Sequence, residues 1–93
     1  MAQDVLERDL RRCATEDVED IERADLFMAF AESPSNTRFP PRGGRHVEMG
    51  VAIEIHRHRP AFRIMTVWRR ENVFHYLPEV EFYPTFNVAL EAL

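Results

Sequence analysis

Glu48 is the side chain in this 93-residue chain best placed to do covalent chemistry. It stands in the run Arg42-Gly43-Gly44-Arg45-His46-Val47-Glu48-Met49-Gly50, directly behind the proline-broken Phe39-Pro40-Pro41. Two glycines let the backbone turn sharply there. An apolar-periodic segment follows, with Val47, Val51 and Ile55 four apart. That spacing predicts a helix with Glu48 in its first turn, where the positive end of the helix dipole favours a carboxylate. Gly50, two residues on, leaves room for another backbone or a ligand. An ionised acid beside such a gap is what a carboxylate nucleophile needs. The same placement also suits a glutamate that only satisfies the dipole.

Other residues invite comparable readings. Arg38, Arg42 and Arg45 surround the glycine turn at a helix N-terminus, which suits either a nucleoside 5′-phosphate or three solvated arginines. Asp17 falls in an apolar stripe made by Leu6, Leu10, Cys13, Ile21 and Ala24. Burying it alone is costly, so either the stripe leaves the core there and meets a cleft, or the helix breaks and Thr15 caps a second segment. His56-Arg57-His58 places two imidazoles at i,i+2, which point apart on a helix; cations at a helix C-terminus explain them better than a metal. His46 and His75 have no partner at ligand spacing, so no metal is expected. Cys13 is expected in the core rather than as a nucleophile. Phe27, Phe30, Phe62 and Trp68 are likewise expected in the core.

The elements that must position these groups read as one small domain, residues 1–93. A 45% hydrophobic and 30% charged composition is that of a soluble globular protein. A net charge of −4 gives no nucleic-acid footprint, and no apolar run approaches the ~20 residues that span a bilayer. The acidic start shows no signal peptide, and a single cysteine fits a reducing compartment, so the chain reads as cytoplasmic. Residues 4–24 form an amphipathic helix. Residues 26–31 are continuously apolar, as in a strand covered on both faces of a parallel sheet. The helix carrying Glu48 ends near residues 56–59, before Pro60. Residues 61–68 form a second strand, 73–77 a short turn, 80–83 a third strand and 86–93 a last helix. Strands alternating with helices predict an α/β fold with right-handed crossovers. Ligands in such folds sit beyond the carboxyl ends of the strands, where the 33–44 and 69–72 loops leave. Glu48, Asn72 and, through the helix feeding the first strand, Asp17 are expected to converge there.

Asp17 to Asp25, the apolar strand behind it, Gly43-Gly44-Arg45-His46-Val47-Glu48-Met49-Gly50, and Arg70-Glu71-Asn72-Val73-Phe74 followed by Leu77-Pro78 resemble, in that order, the nucleoside 2-deoxyribosyltransferase-like family. The resemblance covers residues 14–93. It implies a small flavodoxin/Rossmann-like three-layer sandwich with a short, mostly parallel sheet of about three strands. It also implies cleavage or transfer at the N-glycosidic bond of a (deoxy)nucleoside or nucleoside 5′-monophosphate, with no cofactor. By resemblance Glu48 matches the attacking glutamate, and Asp17 an aspartate on the leaving-group side. Asn72 matches an asparagine that positions the sugar, contributed across a subunit interface in oligomeric members. Gly43, Gly44, Arg42 and Arg45 belong to the substrate-binding turn. Family transferases carry an acid six residues before the nucleophile; here that residue is Arg42, so water and a second base both stay open as acceptors. A non-catalytic relative that binds a nucleotide-like ligand or a partner chain is the alternative.

Relative to the family pattern, the sequence starts at the helix before the third family strand. The 26–31 strand is therefore expected at an edge, where unpaired backbone groups invite another chain. A homo-oligomer, or a complex with a chain supplying further strands, is predicted, through that edge or the 4–24 helix.

Overall fold

Leu26-Phe27-Met28-Ala29-Phe30 forms β1 (Leu26–Phe30) because neither of its faces is left to solvent alone. It pairs in parallel with β2 (Arg63–Val67), which pairs in parallel with β3 (Val80–Tyr83), giving the order β1-β2-β3. The computed structural model describes residues 2–31 and 44–93, with side chains from Leu6 onward. Arg38, Arg42 and Gly43 lie outside the described residues.

The fold is α/β, with a three-stranded parallel sheet between helical layers. Phe27↔Ile64↔Val80 run across one face of the sheet. That face is covered by α1 (Ala2–Arg23) and α2 (Gly44–His58), through Ile21, Met49 and Ala52, with Phe62 and Leu77 at the margin. Met65 and Val67 face the other way, against Ala89 of α3 (Phe86–Glu91). Successive right-handed crossovers in one direction put their connections on one side of a sheet, which explains why α2 and the 3-10 turn η1 (Val73–Tyr76) share a face. β2 is buried on both sides, and the one polar side chain in its middle, Thr66, donates to the Glu81 carbonyl at 3.0 Å.

β1 is an edge strand among the described residues, as its sequence position implied. α1 is one unbroken helix. Thr15 caps nothing; its hydroxyl donates back to the Arg11 carbonyl at 2.9 Å, within the helix. Only the C-terminal half of α1 packs, and from Asp17 back to Leu6 every side chain is exposed. Cys13 is therefore exposed rather than in the core, because the stripe that carries it runs past the end of the layer beneath. The projection shows in a radius of gyration of 15.0 Å and a longest dimension of 48 Å, against about 12 Å for a compact chain of this length. Two of the four aromatics expected inside are also outside. Phe62 is buried, but Phe30 and Trp68 are exposed and stack at 5.1 Å, with Phe86 beyond Phe30 at 5.5 Å. α3 is six residues long and cannot cover the whole of its face. Trp68 has φ 84°, a strained conformation for a bulky residue, which turns it away from the strand it follows. No described helix is long and apolar enough to cross a membrane.

Candidate functional site

α2 begins at Gly44, three residues earlier than its apolar period suggests. Gly44 takes no positive φ, so it is the first residue of the helix rather than the pivot of a sharp turn. Glu48 consequently sits in the second turn, and no acid occupies the first. The helix start is held by Arg45, whose guanidinium grips the Glu71 carboxylate with both prongs, Nε to Oε1 at 3.0 Å and Nη2 to Oε2 at 2.6 Å. Both side chains are largely covered, 22% and 10% exposed. Arg45 is thus not a solvated arginine: two of its three guanidinium nitrogens are bound to the loop behind β2. Arg70 steadies the same loop by stacking over Phe82 at 4.5 Å and Tyr76 at 4.8 Å.

Asn72 follows in that loop and caps η1, its Oδ1 accepting the Phe74 backbone N–H at 3.0 Å. That bond fixes which way the amide faces, so Nδ2 is the atom 3.1 Å from His46 Nδ1. An amide nitrogen can only donate, so His46 Nδ1 accepts and the ring carries its proton on Nε2. His75 is arranged alike: its Nδ1 accepts the Glu71 backbone N–H at 2.9 Å. It is buried, and burial pushes its pKa below the ordinary histidine value. Glu71 opposes that shift, while His46 and Arg45 reinforce it. The two imidazoles lie 6.3 Å apart. Sequence spacing gave no hint of this, because His46 and His75 come from opposite ends of the β2 connection.

One flank of α2 and the start of η1 enclose a groove of about 470 Å³, a volume typical of small-ligand sites. From α2 it is lined by His46, Met49, Gly50, Ile53 and Arg57, one helical face at spacings of three and four. Asn72, Phe74 and Leu77 form the opposite wall. A Cβ on Gly50 would meet no atom within 4 Å; no described residue makes a close approach there.

Glu48 does not line this groove. At about 100° per residue it lies well round the helix from His46. It is half-buried, yet among the described residues its carboxylate has no hydrogen-bond or ion-pair partner. Asp17 is exposed on α1. The C-terminal ends of α1 and α2 are clasped by Arg59, which donates to the Glu22 and Ala24 carbonyls at 3.2 and 2.7 Å. Both helices precede strands of one parallel sheet and run the same way. Asp17 is seven residues back from Ala24 on α1, and Glu48 eleven back from Arg59 on α2. The expected trio thus divides: Asn72 joins His46 at the groove, while Glu48 lies off it on α2 and Asp17 is exposed on α1. At the other end of α2, His56, Arg57 and His58 occupy the last turn. His56 Nδ1 donates to the Phe62 carbonyl at 2.8 Å, and His58 lies 2.8 Å from Glu54. Among the described residues no three His, Cys, Asp or Glu side chains gather as a metal site would require. Comparisons with protein-family models, curated proteins and solved structures find no match to this chain.

Proposed function

We propose that this domain breaks or exchanges the N-glycosidic bond of a (deoxy)nucleoside or nucleoside 5′-monophosphate, with Glu48 as the nucleophile. One observation carries the reading: a half-buried carboxylate without a partner among the described residues, near the carboxyl edge of a parallel sheet. A glutamate kept for structure ordinarily spends its charge on a neighbour, as Glu71 does on Arg45. C–N cleavage passes through an oxocarbenium-like state, which a carboxylate on the sugar face stabilises and can capture covalently. The departing nitrogen needs a proton, which Asp17 supplies in this scheme. Asn72 lies on the other flank of α2, in keeping with the resemblance, in which that asparagine serves the neighbouring subunit's site. The chemistry requires no cofactor, and a reducing, cytoplasmic setting suits the exposed Cys13.

A second reading has an observation of its own. The groove among the described residues does not include Glu48, which favours a domain that binds without reacting. Incubation with a panel of nucleosides and 5′-monophosphates separates the two. Release of free base supports catalysis, whereas binding that is unaltered in Glu48→Gln and releases no base supports the second reading.

A further inference from the structure

Two apolar surfaces of this molecule have nothing over them among the described residues, and their charges are opposite. The first is the groove on α2. Its polar groups sit at its ends, His46 at one and Arg57 at the other, and no acid lines it. Arg57 has no ion-pair partner among the described residues. Between them Gly50 leaves the helix backbone bare, although glycine inside a helix costs about 1 kcal/mol relative to alanine. Packing among the described residues gives no reason for that glycine, whereas a surface that must admit something close does.

The second surface is the projecting half of α1. Leu6 and Leu10 are 57% and 60% exposed, one turn apart on a stripe continued by Cys13. Helical geometry sets Glu7 and Asp9 on the shoulders of that stripe beside the leucines, with Asp17 within it and Arg11 further round. Arg8 and Arg12 fall on the back, where Arg12 lies 3.5 Å from Asp9 and 4.0 Å from Glu16. The arm therefore presents leucines beside Glu7 and Asp17, and the groove presents an apolar floor beside Arg57 with no acid in its lining.

We infer that the groove of one copy receives the α1 arm of a second copy, with Leu6 and Leu10 as anchors over Gly50 and Met49 and the arm's acids toward Arg57. This is helix-in-groove recognition read at i and i+4. Because each chain carries both an arm and a groove, reciprocal exchange closes a two-fold dimer. The inference concerns assembly and is read by mass rather than by base release, although Asp17 and Asn72 figure in both proposals.

Sedimentation and light scattering at micromolar concentration in low salt test it. The wild type should run at twice 11.0 kDa, and added salt should weaken the association. Gly50→Leu fills the groove at a position where a Cβ touches nothing, so its fold should be no weaker. Leu10→Glu removes an anchor that is exposed in the monomer, and its near-ultraviolet dichroism and thermal midpoint should stay those of the folded domain. Each variant alone should be an 11.0 kDa monomer. Mixed together they should form a one-to-one dimer, because one supplies an intact arm and the other an intact groove. Arm-to-arm or groove-to-groove pairing cannot give that rescue. A monomeric wild type, association that persists in either variant alone, or a mixture that stays monomeric overturns the inference.

Discussion

Glu48 and Gly50 are two residues apart, and each should respond to substitution in a way that separates function from fold. Glu48 has no described partner to lose, so Glu48→Gln should leave the thermal midpoint nearly unchanged while lowering base release by orders of magnitude. A collapsed midpoint would mark it as structural. Gly50 lies mid-helix with open space around its Cα, so Gly50→Ala should stabilise the domain by about 0.5–1 kcal/mol in denaturant melts. A loss of stability there would mean that a neighbour needs the space. The chemistry-bearing types were legible in the sequence: an acid, a glycine gap and an apolar period. The turn of the helix that carries the acid was not. Gly43-Gly44 reads as a breaker, but Gly44 takes ordinary helical geometry and Arg45 is held from outside the helix by Glu71, 26 residues away. Such a tie leaves no local signal.

At the scale of elements, the joint between α2 and the loop behind β2 governs the groove wall. Glu71→Ala would remove the bidentate carboxylate that Arg45 grips under partial cover and should cost about 1.5–3 kcal/mol of stability, measured by chemical unfolding. Asn72→Ala removes the cap of η1 and should cost about 1 kcal/mol. It should also free His46, visible as a shift of its ring protons by NMR. His75 gives the joint a pH dependence. Its pKa is held below the ordinary 6.5, so the unfolded chain binds a proton that the native state refuses. The stability this contributes is complete above 6.5 and falls as the pH drops below it. His75→Gln should flatten the stability profile between about pH 7 and 5; an unchanged slope would assign it to carboxylates instead. Element order, strand direction and the span of β3 were all readable from hydrophobic pattern, since continuous apolar runs between helical periods admit few arrangements. The His46–Asn72 and Glu71–His75 contacts were not, because they join segments across a crossover.

The whole molecule is a small three-layer body with a helical arm. Amides of α1 before Asp17 should exchange with solvent far faster than those of Ile64 to Val67, which are buried on both faces of the sheet; equal protection would mean that the arm is covered. The sequence showed an amphipathic helix but not where its support ends, since a stripe records that a face is apolar and not what lies against it. For the same reason Phe30 and Trp68 looked like core residues, although a six-residue α3 is too short to cover them. The N-glycosidic reading is the central claim, and chromatographic detection of free base tests it most directly. After incubation of the wild type and Glu48→Gln with nucleosides and their 5′-monophosphates, the wild type should release base from at least one substrate and the variant should release none. Absence of base release by a folded wild type across the panel, or equal release by both proteins, would contradict it.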